Sequence, residues 1–177
     1  MQTATDLLIH YARDHRDRRN IASHFVGIPM VVFAVGVLLA RMRFDVAGHE
    51  VTLAWVGVVL LALWYLARPG PLALTLGVSA AVAALVALAH PMAQRGSTSG
   101  WLAWSLGLFL LGCSVQWIGH VYEGKRAAFV HDLASPWAGP LFLTAQALFM
   151  LGWNKPLLAE MERRAGPAVL HDLARIA

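Results

Sequence analysis

One cysteine, Cys113, is all that the 177 residues contain, and it lies inside an apolar stretch. An internal disulfide framework and a cysteine-held metal cluster are both excluded. Charge is scarce too: Asp, Glu, Lys and Arg make up 14% of the chain against 58% hydrophobic residues, and the mean hydropathy is +0.59. That balance is too oily for a soluble domain of this length, so a bilayer is the natural solvent. No internal repeat and no low-complexity segment is found, and 1–177 is expected to form a single membrane domain. A nucleic-acid signature is missing as well. The net charge of +4 and pI near 9.8 are read instead as basic residues flanking membrane helices, where they serve orientation and headgroup contact.

What is present is a series of five apolar runs: Phe25 to Ala40, Val51 to Ala67, Pro71 to Ala89, Trp101 to Tyr122 and Ala138 to Trp153. A membrane helix needs about 17–25 mostly apolar residues. The third and fourth runs meet this easily, the second meets it, and the first and fifth are borderline. Twenty-four residues rich in charge and histidine precede the first run, and no small-residue cleavage pattern follows Ala40, so a cleaved signal peptide is not expected.

Residues 1 to 24 read as one amphipathic surface helix. Leu7, Leu8, Tyr11 and Ala12 share an apolar face, while Arg13, Asp14, Arg16, Asp17, Arg18 and Arg19 face water. Gly27 and Pro29 mark the start of the first apolar helix. The breaks at Asp45 to Glu50, Arg68 to Pro71 and Gln94 to Gly100 read as turns, and Asn154 to Ala177 as a second surface helix. The expected fold is therefore all-α: a polytopic membrane bundle of four spans, a short fifth segment that is re-entrant or spanning, and amphipathic terminal helices.

Lysine and arginine positions test the topology. If all five runs cross, each side of the membrane holds seven; if the fifth enters and returns, the split becomes eleven to three. The second arrangement is favoured, and the positive-inside rule then places both termini in the cytoplasm. The Ala- and Leu-rich composition points to a bacterial inner membrane.

Eight histidines remain to be explained. When the first four runs cross, His10, His15, His24, His120 and His131 share the side of the N-terminus, and His49 and His90 lie on the other. Gln116, His120 and Glu123 follow the i, i+4, i+7 pattern and form one polar stripe at the end of the fourth apolar run. Ionisable groups there usually face a bundle interior or a cavity. Asn20 and His24 are likewise one turn apart. This suggests a metal site at one membrane face, since imidazole suits zinc, copper, iron and nickel, and His with carboxylate suits iron(II). His15 and His24 are nine residues apart and would lie on opposite faces of a straight helix, so both can ligate only if the chain bends between them. The stripe reads equally as a polar clamp between helices. His10, His49, His90, His131 and His171 read as interfacial hydrogen-bonding residues, and the seven tryptophans as interface anchors.

Two blocks carry a resemblance: Tyr11-x3-His15-x4-Asn20-x3-His24-x2-Gly27-x-Pro29, and Trp117-Ile118-Gly119-His120-x2-Glu123-x-Lys125-Arg126. In this order, at the ends of an array of hydrophobic helices, they resemble the fungal and bacterial 2-hydroxy fatty acid dioxygenase family. The resemblance implies Fe(2+)-dependent α-oxidation, in which a 2-hydroxy fatty acid and O2 yield a fatty acid one carbon shorter. In fungi this serves breakdown of the phytosphingosine base. It implies metal ligands at His15, His24 and His120, motif positions at Asn20 and Glu123, and partners that are a 2-hydroxy fatty acid, O2 and membrane lipid. With these, Asn20, Gln116 and Glu123 are candidate catalytic residues. Lys125 and Arg126 are candidates for neutralising the substrate carboxylate. The chain departs from the family's usual pattern at Ala127-Ala128, at His131-Asp132 and at Gln146. Two other readings compete: a zinc-dependent membrane lipid hydrolase, and a non-enzymatic helical membrane protein with structural histidines.

Overall fold

A computed structural model describes residues 2–124 and 135–171, without the side chains of 135 and 136. The elements are α1 (Ala4–Arg13), α2 (Arg18–Ala40), β1 (Arg43–Val46), β2 (His49–Thr52), α3 (Leu53–Leu66), α4 (Leu72–Gln94), α5 (Thr98–Glu123), α6 (Ser135–Met150) and α7 (Lys155–Ala165).

The single surface helix expected over residues 1–24 is broken in two. Thr3 and Asp6 form a capping box that starts α1, which buries Leu7, Leu8, Tyr11 and Ala12 as the apolar face requires. Asp17 then starts α2 by accepting the Arg19 backbone N–H at 2.8 Å. An N-cap carboxylate satisfies donors that a helix's first turn leaves open, which is why the helix begins seven residues before the first apolar run. Expected to face water, Asp17 is instead fully buried. Gly27 and Pro29, expected at a helix start, lie inside α2. A membrane helix tolerates such a proline because neighbouring helices pack around the missing bond.

The all-α expectation fails at one place. The turn read at Asp45 to Glu50 is a β-hairpin, with Arg43 opposite Thr52 and Val46 opposite His49. Ala47 and Gly48 both take positive φ, 53° and 80°, the requirement of the two-residue turn whose twist matches that of paired strands. The hairpin takes up Val51 and Thr52, so α3 has only 14 residues and is about 21 Å long. That is short of a hydrocarbon core of about 30 Å, and the full span expected from Val51 to Ala67 is not seen. Three helices, α2, α4 and α5, are long and apolar enough to cross a membrane, and α3 and α6 are shorter apolar helices.

Helices α2 to α5 alternate in direction. Gln94 donates to the Ala40 carbonyl at 2.8 Å and Trp101 to that of Val37 at 2.8 Å, which joins α2, α4 and α5 at the hairpin end. Opposite lies the larger apolar core, built around Leu7, Leu8, Tyr65, Leu74, Leu141 and Phe142. Helix α7 returns to α1, where Arg164 meets Asp6 at 3.4 Å. After Gly166 turns with φ +91°, Val169 pairs with Asp17. By Val169 and His171 the described tail has therefore come back to the end of the bundle where α2 starts. Leu60, Leu63, Leu88, Leu110 and Trp117 point outward and are more than half exposed, an apolar surface of the kind that meets lipid.

Helices α2 and α5 meet through glycines. A Cβ on Gly27 would lie 2.7 Å from the Gly112 carbonyl oxygen, and one on Gly112 would lie 2.9 Å from that of Gly27. Small residues let membrane helices approach to backbone contact. Gly27→Ala is expected to force the pair apart and cost about 1–3 kcal/mol, read as a lower unfolding midpoint in detergent. Gly107→Ala, on the same helix α5 but with open space at its Cβ, should be neutral or stabilising; equal destabilisation by both would refute the contact.

Candidate metal centre

His15 sits in the break between α1 and α2. The chain leaves α1 with the N–H of Asp14 bonded to Tyr11 and that of His15 to Ala12, each at 3.2 Å. It re-enters helix at Arg18, so nine residues no longer separate opposite faces. His24 comes from the second turn of α2 and His120 from the last turn of α5. The three rings meet at centroid distances of 4.6 Å for His15 and His24 and 5.0 Å for each with His120. One ligand nitrogen from each lies within 4.8 Å of the others, and all three residues are buried. His15 is stacked on the Tyr11 ring at 3.9 Å and flanked by Phe142 at 5.9 Å. Burial among these rings raises the Tyr11 phenol above its ordinary range.

Backbone carbonyls set two of the tautomers. His15 Nδ1 lies 2.8 Å from the Tyr11 oxygen and His24 Nδ1 lies 2.9 Å from the Asn20 oxygen. A carbonyl only accepts, so each Nδ1 carries a proton, and in the neutral ring Nε2 then keeps the lone pair. This is the second-shell arrangement usual for metal-bound histidine. His120 Nδ1 is buried without a hydrogen-bond partner among the described residues, at a cost that a native interior seldom leaves uncompensated. Three buried imidazoles converging in this way form a donor set suited to a divalent transition metal.

The members of the polar stripe differ in their contacts. Glu123 Oε2 accepts the backbone N–H of Arg16 at 3.0 Å and of Asp17 at 2.7 Å, and Asn20 Nδ2 at 3.1 Å. This carboxylate ties the end of α5 to the turn carrying His15 and to the first turn of α2. Asn20 Oδ1 is buried without a hydrogen-bond partner among the described residues, and a Cβ on Gly119 would come within 2.6 Å of it. Gln116, one turn before His120, lies 3.4 Å from the Gly112 carbonyl and packs against Gly27. Lys125, Arg126 and His131 fall outside the described residues. His49 is exposed on β2 and His90 lies near the end of α4, at the far end of the bundle.

Sequence reasoning gave Asp17 to a solvent face and the tail to a surface helix, and placed neither near the histidines. The Asp17 carboxylate holds the Arg19 guanidinium at 2.8 Å and accepts the His171 backbone N–H at 2.8 Å. The hydrogen bond from Arg19 keeps its carboxyl well below the usual carboxylate range. Backbone bonds from Val169 to Arg16 at 2.8 Å and from Arg18 to Val169 at 2.9 Å complete the clasp. An Asp is a favoured helix N-cap, but among the charges of residues 13–19 this one does not stand out. No side-chain pattern announces the tail, because backbone groups do most of the docking.

No solved structure matches the chain. Over 150 residues it is 27% identical to the 2-hydroxy-palmitic acid dioxygenase MPO1 of Saccharomyces cerevisiae, an alignment covering 84% of this chain and 81% of that protein. A family described as 2-hydroxy-palmitic acid dioxygenase Mpo1-like matches residues 1–151, a stretch that holds all three converging histidines, Asn20 and Glu123. The chain belongs to this Mpo1-like family.

Proposed function

We propose that the protein is an Fe(2+)-dependent dioxygenase that converts a 2-hydroxy fatty acid and O2 to the fatty acid one carbon shorter. The reading is carried by the meeting of His15, His24 and His120 in a buried pocket, within a chain whose yeast relative is named a dioxygenase of 2-hydroxy-palmitic acid. The reaction balances when the bond between C1 and C2 breaks, C1 leaves as carbon dioxide, C2 becomes the new carboxyl, and O2 takes four electrons to supply one product oxygen and one water.

His15, His24 and His120 would hold the iron, which when bound supplies redox chemistry toward O2 and positions for the acid's carboxylate and hydroxyl. Glu123 and Asn20 act as positioning residues by fixing the turn that carries His15. Gln116 belongs to the α2–α5 contact. Lys125 or Arg126 neutralises the carboxylate by charge-assisted hydrogen bonding. The whole of 1–177 works as one domain of a bacterial inner membrane with both termini in the cytoplasm, a reading supported by the eleven-to-three charge split and by the docking of Val169 and His171 on Asp17.

The test is anaerobic purification with metal quantification, followed by turnover of 2-hydroxyhexadecanoate with O2 consumption measured in parallel. Iron near one per chain and uptake of one O2 per acid shortened are expected. Zinc with no O2 uptake would instead favour a hydrolase of the three-histidine kind, and no metal at all a structural role for the histidines.

A further inference from the structure

A cavity of about 620 Å³ lies among the apolar helices, within the ordinary size range of ligand pockets. On the face of α2 that carries His24, Val31, Val35 and Leu39 follow that histidine at 7, 11 and 15 residues and all line the cavity, which places them on one side of the helix, with the buried Ile28 between them and His24. Val31 is about 10 Å and Leu39 about 22 Å from His24 along the axis. Helix α6 links the same two places. Trp137 and Pro140 line the cavity, while Phe142 flanks His15. Among the cavity-lining residues Val35, Leu60 and Phe109 are exposed on the outer apolar surface, so the cavity opens sideways, where lipid would lie.

Two glycines line it. Gly36 is close to helix α4, with an added Cβ meeting Ala89 at 3.1 Å. Gly57 differs: it occupies the α3 face shared with Ala54, Val58, Leu61 and Trp64, all cavity-lining, and an added Cβ would meet nothing within 4 Å. A helix interior favours nearly any residue over glycine, and no turn or close contact demands one here. The space it leaves has the chemistry of a hydrocarbon chain and no partner from the protein.

We infer that this cavity receives the distal part of the substrate's alkyl tail and that Gly57 sets the chain length accepted. The inference rests on the 2-hydroxy fatty acid reading above. One leaflet's acyl chains fill about 15 Å, half of a hydrocarbon core of about 30 Å. A long-chain acid with its head at the histidines is therefore long enough to pass Ile28 and Val31 and enter the cavity, and a short one ends before it.

Gly57→Phe fills the space, and the experiment compares it with the unaltered, iron-loaded protein on 2-hydroxyhexadecanoate and 2-hydroxyoctanoate. The ratio of kcat/KM for the long acid to that for the short one is expected to fall about tenfold or more, and less in Gly57→Ala. An unchanged ratio, including one in which both activities fall together, overturns the assignment. Binding is read separately on metal-free protein with 2-hydroxyhexadecanoate brominated at its chain end, whose bromine quenches the fluorescence of Trp64 and Trp137. Saturable quenching weakened by Gly57→Phe is expected; its absence, or equal quenching by a brominated phospholipid, overturns the proposal. If the unaltered protein turns over neither acid, the functional reading fails, and the quenching still decides whether an alkyl chain of this acid occupies the cavity.

Discussion

Replacing His24 by alanine is expected to lower affinity for the bound metal by more than about a hundredfold, because loss of a partner that merely orients a ligand already costs about 10–100-fold. Turnover should fall with it. The choice of His24 follows from geometry: its Nδ1 is committed to the Asn20 carbonyl, and the ring stands edge-on to His15 and His120 at 4.6 and 5.0 Å. Thermal unfolding adds a readout independent of activity. A metal that binds the folded chain alone stabilises it by linkage, so a chelator should lower the unfolding midpoint of the unaltered protein and leave that of His24→Ala unmoved. His49→Ala, exposed at the opposite end, should keep full metal content and the full response to chelator. Equal metal content in His24→Ala and the unaltered protein would show that the three rings form a structural cluster only.

How much of this was legible in the sequence depends on which force shaped each part. His120 and Glu123 stand one turn apart on a long helix, and helical periodicity alone places them on one face. Bringing His15 to His24 needed a break in the chain, and the spacing of nine stated the need without locating it. The break comes from Asp17, whose carboxylate starts α2 amid residues whose charge suggests an uninterrupted solvent face. The hairpin was hidden for a similar reason. Ala47 takes a positive φ, where an alanine gives no signal, and the strands are too exposed to show a buried alternation. Gly27 belonged to the motif that carried the family resemblance, yet its reason appears only in three dimensions, as contact with the Gly112 carbonyl. The docking of Val169 on Asp17 uses backbone groups that every sequence shares.

Glu123→Ala is expected to be the most damaging change outside the three histidines, and its conservative counterpart separates the two roles open to this residue. Three donors, two of them buried, converge on one carboxylate oxygen: the Arg16 and Asp17 N–H groups and Asn20 Nδ2. Alanine leaves all three unsatisfied, at about 1–3 kcal/mol for each buried one, and frees the turn that presents His15. Glutamine retains a carbonyl oxygen at the same reach and can accept the same donors. If Glu123 works by position, Glu123→Gln should keep most of the stability, metal affinity and turnover, whereas Glu123→Ala should lose several kcal/mol of unfolding free energy and about 10–100-fold in metal affinity. If the carboxylate acts on the substrate as an acid or base, Glu123→Gln should bind metal normally and lose about 10²–10⁴-fold in turnover. With the clustered oxygen already accepting three hydrogen bonds, the first pattern is the expected one, and a metal-replete but inactive Glu123→Gln would overturn it.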